Sequence, residues 1–232
     1  MNPIIVVPAR MASTRLPGKP LADINGKPMI VRVLEKCREA DIGPVIVATP
    51  DCQIANVAVK NGFRVVITDS GLASGSDAVW AACVWEDADL VVNVQGDQVD
   101  IKPTHIRAAA LELAAPWTDI GTIVAPLDAA NRADENTVKV VMGKDGRALY
   151  FSRLPAPFGP GPLWQHVGVY AYRRNTLERF ALLPPSPLEI RERLEQLRAL
   201  ESGMVIGCAI VDSAPLEVNT QADLDHVRGL LH

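Results

Sequence analysis

The sequence predicts an α/β fold with a mostly parallel central sheet, helices on both faces and a smaller antiparallel lobe. Two observations carry this. In the first half, short β-branched runs alternate with stretches of helical periodicity, the rhythm of strand–helix–strand units. In the middle, strand-like runs follow one another with few helices between them, as antiparallel neighbours do.

Ile4–Val7 reads as the first strand. Pro28–Ala40 follows as a helix, with Ile30, Val33, Leu34 and Cys37 on one stripe. Val45–Thr49 and Arg64–Ile67 are strands; Cys52–Lys60 and Asp77–Trp85 are helices, the latter capped by Ser76. Leu90–Val94 is continuously apolar apart from Asn93, as suits a central strand buried on both sides. Thr104–Leu113 is the next helix. Ile120–Val124, Val138–Met142, Ala148–Phe151 and Val167–Tyr172 form the strand-rich middle. Between the last two, Leu154–Leu163 is rich in proline and glycine and reads as a stiff surface loop. A helix over Leu188–Glu201, a strand over Met204–Val211 and a helix over Gln221–Leu230 complete the chain, read as one domain, 1–232, in which 120–175 forms the antiparallel lobe.

Composition excludes several classes. The 232 residues are 48% hydrophobic and 22% charged, with a net charge of −4. Such a chain is neither disordered nor fibrous, and its surface does not attract nucleic acid or anionic membranes overall. No apolar run approaches a membrane span, and the opening strand is not a secretory leader. Cys37, Cys52, Cys83 and Cys208 form no Cys-x-x-Cys pair and read as buried reduced thiols of a cytoplasmic protein.

The segment Pro8-Ala9-Arg10-Met11-Ala12-Ser13-Thr14-Arg15-Leu16-Pro17-Gly18-Lys19 carries the chemistry. In an open parallel sheet, ligands bind beyond the carboxyl ends of the strands, and this loop directly follows the first strand. Its small residues let backbone N–H groups approach phosphate oxygens, and guanidinium forks bind them bidentately. Arg10, Arg15 and Lys19 are therefore candidate catalytic cations, with Lys19 a compact charge for a departing phosphate group. The pattern is neither a P-loop nor a dinucleotide fingerprint. Asp97, just past the Leu90–Val94 run, is the candidate Mg²⁺ ligand, because Mg²⁺ prefers one or two carboxylates plus phosphate oxygens. Lys139 reads as a strand cation able to reach phosphate, or as a snorkelling surface lysine.

These blocks resemble the sugar-activating nucleotidyltransferases, and closely the CMP-3-deoxy-manno-octulosonate synthetase family of cytidylyltransferases. The resemblance runs on through Asp23-Ile24-Asn25-Gly26-Lys27-Pro28-Met29, Ser74-Gly75, Val92-Asn93-Val94-Gln95-Gly96-Asp97, Val138-Lys139-Val140-Val141, Ala148-Leu149-Tyr150-Phe151-Ser152-Arg153 and Leu194-Glu195-Gln196-Leu197-Arg198, in that order. It implies a Rossmann-like nucleotidyltransferase fold, CTP and Mg²⁺ as the needs of the reaction, and a homodimer formed around the antiparallel lobe. It implies nucleotide contacts from Pro8, Ala9, Arg10, Arg15, Lys19, Ser74, Gly75, Gln95 and Asp97, with Ser74 and Gly75 reading cytosine. It implies acceptor contacts from Arg10, Gln95, His166, Tyr170, Glu195 and Gln196 to a small acid such as 3-deoxy-manno-octulosonate.

The sequence also departs from that family. Leu72-Ala73 stands where the family usually has a polar pair, and Ala78 where it has an arginine. Val218-Asn219-Thr220 replaces Val-Asp-Thr, so the second implied metal contact is the neutral Asn219. The segment between Arg153 and His166 is shorter than usual. These departures leave two alternatives open: a smaller acceptor such as a phosphonate of the phosphonoformate type, and a nucleotide-binding relative without catalysis.

Overall fold

The computed structural model describes residues 2–72 and 74–231; Ala73, one of the departures beside the base loop, lies outside the described residues. In chain order the elements are β1 (Pro3–Pro8), β2 (Asp23–Ile24), β3 (Lys27–Pro28), α1 (Met29–Glu39), β4 (Val45–Thr49), α2 (Cys52–Lys60) and β5 (Arg64–Ile67). Then come α3 (Gly75–Cys83), β6 (Leu90–Val94), α4 (Pro103–Leu111), β7 (Ile120–Pro126), β8 (Lys139–Met142), β9 (Ala148–Ser152) and β10 (Trp164–Arg173). The chain finishes with α5 (Arg174–Ala181), α6 (Pro187–Glu192), α7 (Gln196–Glu201), β11 (Ile206–Ile210) and α8 (Gln221–Leu230). It divides into two compact units, Met1–Ile106 with Pro215–His232, and Arg107–Ala214.

The first unit holds parallel strands in the order β6-β1-β4-β5. Ile5 of β1 pairs with Val92 of β6 on one side and with Val45 of β4 on the other. Strands covered on both faces must be apolar throughout, and every residue of β4 and β6 is buried. Ile4, Ile5, Val6 and Val7 are at most 1% exposed. Each such side chain contributes about 1.5–3 kcal/mol of burial free energy. A small hairpin, β2 with β3, turns through Asn25 and Gly26, both at positive φ, as a two-residue hairpin turn requires.

Two helix starts in this unit are built by capping boxes. Ser74, not Ser76, caps α3: its hydroxyl accepts from the Asp77 N–H, and the Asp77 carboxylate accepts from the Ser74 N–H. Three residues separate the members of a capping box, which fits Ser74 with Asp77 and leaves Ser76 buried. Thr220 and Asp223 form the same box at α8.

In the second unit β7 pairs antiparallel with β10 and parallel with β11, while β8 joins β10 to β9. The helix expected over Leu188–Glu201 is two helices. Arg193 adopts φ 57 and ψ 45 and ends α6, a left-handed residue that a continuous helix cannot hold. The Arg198 guanidinium then joins the two pieces, donating to Glu189 Oε2 at 2.8 Å and Oε1 at 2.6 Å, and to the Leu183 carbonyl at 3.1 Å. The sequence reading also missed α5, whose buried Leu177 and Phe180 are separated by one helical turn. Lys139 is neither at the surface nor free to reach phosphate. It is fully buried and donates to the carbonyls of Asp134 and Arg153.

All four cysteines are free, but Cys52 is exposed rather than buried, because it begins α2 on the solvent side. Among the described residues no helix is long and apolar enough to cross a membrane. Replacing Arg198 by Met leaves the nearly buried Glu189 carboxylate without its partner. Urea denaturation is expected to show a loss of about 3–5 kcal/mol, the usual cost of breaking a buried pair from one side.

Candidate functional site

A crevice of about 410 Å³ opens beyond the carboxyl ends of the parallel strands in the first unit. That lies within the usual range for small-molecule sites, about 300–1,000 Å³. It is lined by Pro8, Ala9, Arg10, Arg15 and Lys19 from the loop after β1, Ser74 and Gly75 at the start of α3, and Gln95, Gly96 and Asp97 after β6. Every residue expected to contact the nucleotide therefore meets in one cavity.

Local forces place these groups. The loop after β1 is held by the Ala9 N–H on the Ala48 carbonyl at 3.0 Å and the Met11 N–H on Asp51 Oδ2 at 2.7 Å. Leu16 anchors its middle in an apolar cluster with Met29, Val99, Val218 and Leu224, which leaves Arg15 exposed. Gly18 then turns the chain at φ 71, a conformation glycine adopts without strain, and delivers Lys19. Gly96 lets the end of β6 lie close to the end of β1. A Cβ there would stand 3.3 Å from the Pro8 carbonyl oxygen and 3.2 Å from Ile30. At Gly75 an added Cβ would meet only Pro8 and Gln95 at ordinary distances, 3.7 and 3.9 Å, so the chain itself leaves that wall open.

Across the crevice Lys19 Nζ meets Asp97 Oδ2 at 2.7 Å. Asn219 Oδ1 accepts from Arg15 Nη2 at 3.1 Å and lies 3.5 Å from Lys19 Nζ. Asn219 is itself positioned by Asp223, which accepts its backbone N–H at 2.9 Å. Two of the three candidate cations thus converge on the two candidate metal contacts, while Arg10 lines the crevice.

The sequence reading missed Glu217. Val218 is fully buried, and residues on either side of it in an extended segment face the opposite way. That period of two was the available signal. Glu217 is exposed; the protein around it and the Asp97 charge raise its carboxyl above the usual range, while Gln98, the Lys19 charge and Asn219 pull it down. The hydroxyl pair Ser13-Thr14, and Thr68, Asp69, Ser70, Leu72 and Ala78, also line the crevice.

The residues expected on the acceptor side, apart from Arg10 and Gln95, lie in the second unit. His166 pairs with Val124 and Tyr170 with Thr122, so four residues along β10 span two along β7. The irregularity between Val167 and Tyr170 absorbs the difference and keeps both rings on one face, 5.3 Å apart. Glu195 precedes α7 and adds to the charge that, after burial and Tyr172, raises the Tyr170 hydroxyl well above its ordinary range. Gln196 begins α7 and is 6% exposed.

Thr122 fixes the state of His166. Its hydroxyl donates to the Val169 carbonyl at 2.8 Å, so at 3.1 Å from His166 Nε2 it accepts. The ring therefore carries its proton on Nε2 and presents Nδ1 as an acceptor. Burial lowers its pKa to about 3. Below pH 6.5 the unfolded chain takes up this proton and the folded chain does not, so stability falls as pH drops from about 6.5 toward about 3. His166→Gln is expected to flatten that slope in thermal melts between pH 6.5 and pH 4; an unchanged slope would show that His166 does not titrate as its burial dictates.

Comparison with known proteins agrees with this geometry. Residues 4–206 match the family model of cytidylyltransferases. The chain is 54% identical over 240 residues to a 3-deoxy-manno-octulosonate cytidylyltransferase of Rhodospirillum centenum, covering 99% of this chain and 93% of that one. It is 49% identical over 241 residues to the enzyme of the same name from Paramagnetospirillum magneticum, covering 100% and 98%. A solved structure of a CMP:2-keto-3-deoxy-manno-octonic acid synthetase complexed with CTP superposes with a TM-score of 0.95 at 37% identity, covering 100% of this chain and 98% of that one. A glucose-1-phosphate thymidylyltransferase from Bacillus anthracis shares the fold alone, with a TM-score of 0.72 at 17% identity over 98% of this chain and 94% of that one. With a nucleotidyltransferase fold, a basic loop at the strand ends and relatives of this identity along its whole length, the chain is a nucleotidyltransferase and belongs to the cytidylyltransferase family.

Proposed function

We propose that this enzyme transfers CMP from CTP to 3-deoxy-manno-octulosonate, releasing pyrophosphate. The observation that carries the reading is the crevice beyond β1 and β6. Three cations from one loop and the Asp97 carboxylate line a cavity that also contains the Ser74-Gly75 wall. The acceptor is inferred from the relatives at 49–54% identity that act on this acid by name.

Arg10, Arg15 and Lys19 hold the triphosphate and oppose the negative charge that grows on the leaving pyrophosphate. Ser74 and Gly75 read the cytosine edge. Gly75 offers backbone without side chain, and the Ser74 hydroxyl keeps its own proton to donate, because in the capping box it accepts. The family resemblance assigns the sugar acid to His166, Tyr170, Glu195 and Gln196 of the second unit. His166, neutral and with Nδ1 bare, accepts from a hydroxyl and does not attract the carboxylate. No side-chain nucleophile is required, since an acceptor hydroxyl attacks the α-phosphorus directly and the proton leaves with solvent or a bound base.

The donor set fits a magnesium ion. Asp97 and Asn219 offer hard oxygen ligands on either side of Lys19 Nζ, the kind Mg²⁺ takes together with phosphate oxygens. Asp97 would hold such an ion, which would supply neutralisation of phosphate charge, and Lys19, which pairs with Asp97 in this structure, would then be free for the phosphates. The exposed Leu149, Leu154, Phe158 and Ile190 of the second unit support a homodimer, and three buried free thiols support a cytoplasmic setting.

Pyrophosphate release with CTP, Mg²⁺ and 3-deoxy-manno-octulosonate tests the reaction. A phosphonoformate-type acid in a parallel assay tests the smaller acceptor; turnover with it alone would reassign the substrate. Lys19→Ala is expected to lower kcat by roughly a hundred- to a thousandfold, the cost of one preorganised charge at a developing anion. Asp97→Ala should abolish turnover with the circular dichroism spectrum unchanged. Near-normal rates in either variant would remove that residue from the mechanism.

A further inference from the structure

We infer that Glu217 is the second carboxylate of the divalent-cation site, supplying the negative charge that Asn219 lacks. The inference rests on the proposal that a divalent cation binds at Asp97.

Glu217 and Gln98 form an isolated antiparallel bridge one residue beyond Asp97. The Val218 N–H donates to the Asp97 carbonyl at 3.2 Å, which locks the segment carrying Glu217 and Asn219 against the end of β6. Burial of Val218 turns both flanking side chains the other way. The Glu217 carboxylate accepts from Nε2 of Gln98, the residue next to Asp97, at 3.5 Å, and the Asp97 charge helps to raise its carboxyl. Lys19 Nζ is 2.7 Å from Asp97 and 3.5 Å from Asn219 Oδ1, so a cationic nitrogen already occupies the focus of these oxygens.

Lys19 and Arg15 lie among these oxygens in this structure; once both turn to a triphosphate, the two carboxylates are left to a divalent cation. Mg²⁺ bound by protein commonly uses one or two carboxylates and keeps several waters. Gln98 supplies an independent sign of an absent partner. It is 1% exposed, its amide nitrogen reaches Glu217 Oε1 only at 3.5 Å, and its Oε1 has no hydrogen-bond partner. A buried amide oxygen without a donor is costly unless water fills the role, and the hydration shell of a cation held by Glu217 carries such donors.

The test titrates Mn²⁺ into the full chain with CTP present and reads free Mn²⁺ by electron paramagnetic resonance. Glu217→Gln is expected to weaken Mn²⁺ binding by roughly ten- to a hundredfold. Its affinity for CTP in the presence of a chelator should be unchanged, which also reports that the variant is folded. Adding Asn219→Asp to Glu217→Gln should restore Mn²⁺ binding, because the charge returns two residues away on the same face. Wild-type Mn²⁺ affinity in Glu217→Gln, with loss of binding in Asp97→Asn, would overturn the role of Glu217 and leave the site at Asp97 standing. Wild-type affinity in Asp97→Asn would remove the cation site itself, and this inference with it.

Discussion

Lys19 and Asp97 meet at 2.7 Å although 78 residues separate them in the chain. The contact exists because β1 and β6 are adjacent parallel strands, with Val6 level with Asn93, so their carboxyl ends open at the same height. Gly96 permits the two ends to approach without a side chain between them. Positive charge from one strand end and negative charge from the other then share a single crevice. In an exposed setting such a pair adds little stability. Its importance is positional: it brings a cation and a carboxylate to the same point of the crevice.

The polar groups of the crevice depend on apolar ones beneath them. Leu16 and Val218 belong to the same buried cluster, with Ile24, Met29, Val99 and Leu224. Leu16 fixes the loop that carries Arg15 and Lys19. Val218 fixes the segment that carries Glu217 and Asn219. One apolar cluster therefore positions charged neighbours on both sides of the crevice. The capping box at Thr220 and Asp223 adds a second restraint on Asn219.

The second unit builds its polar cluster by breaking regular structure twice. The irregularity in β10 keeps His166 and Tyr170 together, and the left-handed Arg193 ends α6 so that Glu195 and Gln196 begin a new helix. The buried Arg198–Glu189 pair closes that break. Continuous elements would have been more regular, but they would have sent these side chains in other directions.

Much of this was readable from residue order. Continuous apolar runs marked β4 and β6, period-3.6 stripes marked α1, and the small, basic loop after the first strand marked the phosphate-facing wall, because these signals are local. Asp97 was legible for the same reason, as a carboxylate at a strand's end. What the sequence could not show was anything set by distant neighbours. The break at Arg193 is one left-handed residue inside a helical pattern, fixed by a guanidinium on the next helix. Lys139 looked like a surface cation until the carbonyls of Asp134 and Arg153 enclosed it. Glu217 carried no motif at all. Its alternation with Asn219 was present in the sequence, but only the bridge to Gln98 and the Val218 N–H on the Asp97 carbonyl, which place the segment beside Asp97, give that alternation a chemical meaning. Local periodicity determined the elements and the basic loop; pairing across the fold decided which charges meet, because electrostatic interaction depends on distance in space and not along the chain.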